Sequence, residues 1–314
     1  MKILDEIKNN NRKKSNESFS MKLIGIVIVY FPDDKIINNI LSYLPFLDRL
    51  IIWENTPKNA RKNIRFEDDA LQSKVLKWGE DSNVGIGIPL NKMVEYSIKE
   101  GYTHLLTMDQ DSVFVENDFE KYVRFIESHP DDASNCILTP NHLVNDSLYY
   151  SHDSEFEYAD VFITSGTIFP LSIFQKNGLF RHDFFIDVID TEFAQRAKKN
   201  NINIIAIHSV ILSHKLGYQV NKHRLLWKVV FPNEYSPIRT YYIIRNGLIL
   251  FKEYPDPQEK RKYLWYWFYK RSVFIVLYER NKMNKLKALL WGYYHGKKGV
   301  VGKQEIFDEA PMNE

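Results

Sequence analysis

The chain of 314 residues contains a single cysteine, Cys136. It therefore cannot build an internal disulfide framework or a cysteine zinc cluster, and this usage points to a reducing, cytoplasmic compartment. Charge of one sign is not in excess, with 42 Lys/Arg against 40 Asp/Glu. Charged residues make up 26% and hydrophobic ones 44%, which excludes a disordered polyelectrolyte. A long apolar run is missing too. The most apolar stretch, YLWYWFYKRSVFIVLY at 263–278, is cut by Lys270-Arg271. Neither half reaches the ~20 residues a spanning helix needs. Residues 1–20 lack an apolar core and a small-residue cleavage site, and are expected to be a polar tail rather than a signal peptide. Repeats and low-complexity tracts are absent.

What is present has a strongly alternating pattern. LIGIVIVY at 23–30 is a β-branched run suited to a parallel strand buried on both faces. A helix is expected at 33–47, strands at 49–53 and 75–78, a helix at 91–100 and a strand at 104–108. Such β–α repeats imply a doubly wound, mostly parallel sheet. The second half is more mixed, with short strands expected near 136–139, 160–164 and 203–207 and a helix at 191–200. Charge is also uneven, since residues 256–303 carry 12 Lys/Arg against 3 Asp/Glu. A basic end suggests an anionic contact. Nucleic acid fits poorly, because no reading motif accompanies it.

Ligands of such sheets bind beyond the carboxyl ends of the strands. The residues there are Tyr30 with Asp33, Glu54-Asn55, and Asp109-Gln110-Asp111-Ser112. The last group ends an apolar strand in two carboxylates at i, i+2, which an extended chain would aim to one side. Mg²⁺ and Mn²⁺ favour such hard oxygen ligands together with substrate phosphates. A solvated acidic turn is the competing reading.

Six stretches in order resemble the family 2 glycosyltransferases, most of all their bacterial rhamnosyltransferase-like branch. They are VIVYFPD (27–33), NVGIGIPLN (83–91), LLTMDQDS (105–112), FFIDVIDTEFAQR (184–196), SHKLG (213–217) and YYIIRNGL (241–248). The resemblance implies a GT-A fold and an inverting, metal-dependent transfer of a sugar from a nucleotide-sugar donor (dTDP- or UDP-linked). The acceptor would be a hydroxyl of a saccharide or lipid-linked saccharide, in cell-surface polysaccharide synthesis. It implies donor contacts at Tyr30, Glu54, Asn83, Gly85, Asn91, Asp109 and Arg245. The Mg²⁺ or Mn²⁺ ligands would be Asp109, Asp111 and His214. An acceptor side would form at Thr164, Ser165, Gly166 and Asp187.

In FFIDVIDTEF, Asp190 matches the family's second acid and is the expected base that deprotonates the acceptor. Ile189 replaces the first acid, with Asp187 nearby. Helix capping by these acids is compatible with that role. Arg245 has two readings, diphosphate neutralisation or a structural ion pair. Two other functions stand as alternatives: a nucleotide-sugar-binding regulatory protein, and a nucleotidyltransferase-like enzyme. The latter would usually carry a glycine- and basic-rich loop where this chain has Tyr30-Phe31-Pro32-Asp33.

The expected domains are a tail (1–20), a catalytic domain (21–250, with nucleotide-sugar half 21–112 and acceptor half 113–250) and a helical, basic extension (251–314). The extension suits either the inner face of an anionic membrane, as a peripheral attachment, or packing against the catalytic domain.

Overall fold

A computed structural model describes residues 21–144, 147–150, 154–213, 223–225, 228–230 and 234–305. Its contacts divide the chain into two compact units, Met1–Phe180 with Phe193–Lys215, and Arg181–Glu192 with Leu216–Glu314.

Among the described residues the first unit holds ten strands: β1 (Leu23–Val29), β2 (Arg49–Glu54), β3 (Val75–Gly79), β4 (His104–Asp109), β5 (Val113–Phe114), β6 (Ile137–Val144), β7 (Ser147–Leu148), β8 (Phe156–Ala159), β9 (Thr167–Pro170) and β10 (Ile204–Ser213). They form one sheet in the order β3-β2-β1-β4-β9-β6-β10-β5, with β7 on β6 and β8 on β10. Strands β3, β2, β1 and β4 run parallel, as do β6 and β10. The helices are α1 (Ile36–Leu41), α2 (Asp69–Ser73), α3 (Gly87–Lys99), α4 (Asp118–Ser128), α5 (Pro130–Asn135), α6 (Phe174–Asn177) and α7 (Ile189–Lys199), whose first turn belongs to the second unit. The α/β class expected from the β-branched runs is the class observed.

Strand β1 is apolar because both its faces are covered, and Ile24, Ile26, Val27 and Val29 are fully buried. Each such side chain stabilises the fold by about 1.5–3 kcal/mol. Val27 and Val29 join a cluster with Ile40, Leu44, Phe119, Tyr122 and Ile126. In it Phe114 meets Phe119 edge to face at 4.8 Å.

Two expectations change. The helix at 33–47 is only α1 followed by a 3-10 turn, Leu44–Phe46, because Pro45 has no N–H to continue it. No strand forms at 160–164; β8 ends at Ala159 and pairing resumes at Thr167, after Gly166 turns the chain with φ +81°. That short antiparallel strand, β9, inserts between β4 and β6.

The second unit is built around α8 (Pro237–Glu253), α9 (Pro257–Leu264), α10 (Arg271–Tyr278) and α11 (Lys282–Lys298), with a π-helical turn, Trp265–Lys270, joining α9 to α10. Ser236 caps α8 by accepting the Arg239 N–H at 3.3 Å. Glycines let α11 approach α8 closely: a Cβ on Gly292 would lie 2.7 Å from the Tyr241 carbonyl oxygen. This packing groups α8 with the C-terminal helices, whereas the sequence suggested a boundary near 250. Inside, Glu279 receives Arg271 at 2.8 Å and Lys285 at 2.9 Å, so these three buried charges are mutually paired. Among the described residues, no helix is long and apolar enough to cross a membrane.

Candidate active site

In the first unit the parallel strands end together. Ile28 pairs with Asp109, Val29 with Glu54, and Glu54 with Gly79. Strand order reverses at β1 and β4, which is where open α/β sheets bind ligands. Tyr30, Glu54, Asp109 and Asp111 all lie at this edge.

The tip of β4 is braced from several sides. The strand stops at Asp109, and Gln110-Asp111 form a turn in which the Ser112 N–H reaches the Asp109 oxygen at 3.4 Å. Strand alternation therefore does not carry through Asp111, contrary to the expectation from the i, i+2 spacing. Asp109 is half-buried and Asp111 exposed. Gln110, a spacer in the motif, has a role that the sequence does not reveal. Its amide accepts the Tyr30 N–H at 2.7 Å and donates to the Tyr30 oxygen at 3.1 Å, tying β4 to β1. Asn39 donates to the Gln110 carbonyl at 2.8 Å. Ser165 accepts the Asp109 N–H at 3.0 Å and donates to Ser112 at 2.8 Å; both hydroxyls are fully buried. A Cβ on Gly166 would strike Leu212 at 2.6 Å and Pro140 at 2.8 Å. Thr164 accepts from Thr107 through its carbonyl. The Thr164–Ser165–Gly166 segment thus supports the acidic tip from behind.

The glycine-containing segment is anchored by Asn55, a buried residue. Its amide donates to the Gly85 oxygen at 2.9 Å, and its Oδ1 accepts Trp53 Nε1 at 3.2 Å. Gly85 has φ +79°, and its N–H reaches Asn83 Oδ1 at 2.9 Å. Asn91 is engaged elsewhere, since it donates to and accepts from the Phe180 backbone at 2.9 and 2.8 Å. That pairing occupies an amide expected at the donor.

Glu54 lines a cavity of about 450 Å³ with Ile52, Arg61, Asn63, Lys77 and Trp78. The residue is only 6% exposed, and neither carboxylate oxygen has a hydrogen-bond partner. Its closest cation is Arg61, whose Nε lies 3.8 Å away. Burial pushes the Glu54 carboxyl above its ordinary range, while Arg61 and Lys77 pull against that shift. A buried acceptor without a partner is costly, and a ligand N–H would relieve it.

The second unit carries the other acids. Asp190 sits in the first turn of α7, where its Oδ1 accepts the Thr191 N–H at 2.7 Å. Glu192 is buried and accepts the Tyr254 hydroxyl at 3.1 Å. Before them the backbone is strained: Phe185, Asp187 and Val188 have φ of +66°, +62° and +67°. Asn246 holds this loop by donating to the oxygens of Phe184, Ile186 and Asp187 at 3.0, 2.8 and 2.9 Å. Asp187 is gripped by Arg239 at 2.6 and 3.3 Å. Arg245 is fully buried and donates to the oxygens of Asp183 (3.2 Å), Phe184 (3.0 Å) and Gly302 (2.5 Å). Its structural reading is the one the geometry supports, with carbonyls in place of an ion partner. Asn246, the next residue in YYIIRNGL, carries no local signal of its role in the sequence.

Tyr30, Glu54, Asn83, Gly85, Asp109, Asp111 and the 164–166 segment therefore share the first unit. Asp187, Asp190 and Arg245 belong to the second, and His214 lies outside the described residues. Among the described residues no group of three metal-binding side chains is assembled. The donor set still suits a hard cation, since Asp109 and Asp111 offer only oxygen, and Mg²⁺ commonly takes one or two carboxylates plus phosphate oxygens.

No protein-family model matches the chain. A dTDP-rhamnosyl transferase, RfbF of Shigella flexneri, is 22% identical over 300 residues, covering 89% of this chain and 97% of that one. Two solved structures are similar in architecture. Residues 1–349 of S. aureus TarS, in complex with UDP-GlcNAc, are 14% identical, with 88% of this chain and 81% of that chain covered and a TM-score of 0.49. GalNAc-T7 with UDP, GalNAc and Mn²⁺ is 9% identical, with 83% and 58% covered and a TM-score of 0.47. The likeness to RfbF runs nearly end to end through both chains. With the six ordered motifs, it bears out the resemblance to glycosyltransferases and an enzyme of that class.

Proposed function

We propose that this protein is an inverting, metal-dependent glycosyltransferase of cell-surface polysaccharide synthesis. It moves a sugar from a nucleoside-diphosphate donor to a hydroxyl of a saccharide or lipid-linked saccharide. The observation that carries this reading is the shared edge at the β1/β4 reversal, where Tyr30, Glu54 and the Asp109–Asp111 tip stand around one strand boundary. The Glu54 cavity suits the base: a carboxylate whose oxygens lack a hydrogen-bond donor accepts an imide N–H, and Trp78 in the cavity wall offers aromatic surface. Thymine and uracil both present that N–H. The name of the Shigella relative favours dTDP-rhamnose, with a UDP-hexose next.

Asp109 and Asp111, with His214, would hold the divalent ion, which when bound would offset charge on the diphosphate. The chain's own chemistry is acid–base. Asp190 accepts the proton of the acceptor hydroxyl as that oxygen bonds to the anomeric carbon. The bond from that carbon to the diphosphate oxygen breaks on the opposite face, and the nucleoside diphosphate leaves with the electron pair. Asp190 sits in the first turn of α7, and its carboxylate offers the acceptor oxygens such a proton transfer needs.

A donor screen tests this, with nucleoside diphosphate release measured for dTDP-rhamnose and UDP-sugars with Mn²⁺ and with EDTA. Turnover with one donor is expected, abolished by EDTA and reduced about 10²–10⁴-fold in Asp190→Asn. Undiminished turnover in Asp190→Asn would remove the base assignment. Undiminished turnover in EDTA would remove the metal.

A further inference from the structure

The C-terminal helices answer a question the sequence left open, between packing on the protein and lying on a membrane. Their inner sides pack: Gly292 and Gly296 meet α8, and Ile275 and Leu289 are buried with Ile244 and Leu248. Their outer sides do not. From the π-helical turn into α10, Trp265, Tyr269, Val273 and Val276 are exposed at helical spacing, flanked by Tyr266 and Leu277. On α11 a second stripe comprises Met283, Leu290, Trp291 and Tyr294. Trp265 is 66% exposed, Met283 68% and Leu290 63%. So many large apolar side chains on neighbouring helices exceed the scattered exposure usual on a soluble surface.

Charge decides what covers them. The buried trio Arg271, Glu279 and Lys285 is internally paired. The acids left between 256 and 303 are then Asp256, which caps α9, and Glu259, which pairs with Lys262. Against them stand Arg261, Lys262, Lys270, Arg280, Lys282, Lys287, Lys297 and Lys298, all exposed. Several are interleaved with the aromatic rings: Lys298 lies 4.3 Å from the Tyr294 ring centre, and Lys270 4.6 Å from that of Tyr266. A second copy of this face would repel its like. An anionic bilayer satisfies both features, accepting rings at the headgroup level and attracting lysines in front of them.

We propose that the outer face running from α9 and the π-helical turn through α10 to α11 binds an anionic lipid surface, with Trp265 and Tyr269 of the turn and Leu290 and Trp291 of α11 entering the interface and Lys262, Lys287 and Lys298 engaging headgroups. This goes beyond the transfer reaction, and its deciding readout, vesicle flotation, needs no donor.

The test is flotation of the full chain with phosphatidylcholine vesicles, with and without phosphatidylglycerol, at low and high salt. The intact protein is expected to float with the anionic vesicles and to be released by salt. Trp265→Ser combined with Trp291→Ser should lower binding about tenfold or more, and Lys262→Glu with Lys287→Glu and Lys298→Glu should remove the anionic preference. All five positions are exposed, so melting temperatures should hold, and nucleoside diphosphate release accompanying sugar transfer to a soluble acceptor should be unchanged. Absence of flotation, or variants that bind like the parent, would overturn the proposal. So would a concentration-dependent dimer that the aromatic substitutions dissociate, because a second copy would then be the occupant.

Discussion

The two acidic clusters of this protein are supported in opposite ways. Asp109 and Asp111 end a regular buried strand, and their neighbours Gln110, Ser112 and Ser165 brace an unstrained backbone. Asp187 lies within, and Asp190 follows, a loop with three non-glycine residues at positive φ, held by Asn246, Arg245 and Arg239 from a helix some fifty to sixty residues further on. The first arrangement costs little to hold. The second stores about 1–3 kcal/mol at each such residue and depends on distant donors to keep it. Strained backbone of this kind concentrates where a side chain must be aimed, which agrees with the proposed role of Asp190 as base.

Removing a support from each cluster should expose the difference. Asn246→Ala removes three hydrogen bonds to the loop, leaving the Ile186 and Asp187 oxygens without this donor while Phe184 keeps Arg245, and should destabilise by about 2–4 kcal/mol in urea unfolding, with a fall in kcat exceeding any change in KM. Gln110→Ala loses two bonds to a partly exposed backbone and should cost about 1 kcal/mol. If the two losses were equal, the contrast between clusters would fail. Val188→Gly sharpens it from the other side. Glycine relieves a β-branched residue at φ +67° at some entropic cost, so stability should rise by about 0.5–1 kcal/mol while turnover drops.

The smallest expected effect is at Glu54, whose raised folded pKa means that the native state holds its proton more tightly than the unfolded chain. The penalty of ionising it is absent below the usual glutamate range and grows as pH rises through the folded value. Glu54→Gln should therefore melt higher than the parent at neutral pH, with the difference shrinking toward pH 4. A difference that grew on acidification would contradict the burial argument.

The same contrast explains what could be read from the sequence. Parallel strands buried on both faces are continuous β-branched runs, so β1, β2 and β4 and the acids after them are visible in local pattern. β9 is not, because four residues ending in Pro170 carry too little pattern and their pairing is decided by the turn at Gly166. The bracing roles of Gln110, Asn55 and Ser165 depend on partners up to eighty residues distant. Arg245 shows the limit of motif transfer. Its guanidinium suits phosphate, yet carbonyl oxygens from 183, 184 and 302 surround it in the fold. On the C-terminal helices, composition shows aromatics and lysines but not which of them face outward.

The central claim is that the tip of β4 holds a nucleoside diphosphate through a divalent ion. Calorimetric titration of dTDP and UDP into the full chain, with and without Mn²⁺, tests it in the parent and in Asp109→Asn with Asp111→Asn. The account predicts Mn²⁺-dependent binding of at least one nucleotide in the parent, weakened about a hundredfold or more in the variant with its fold retained. Equal affinity in both proteins, or binding indifferent to Mn²⁺, would contradict it.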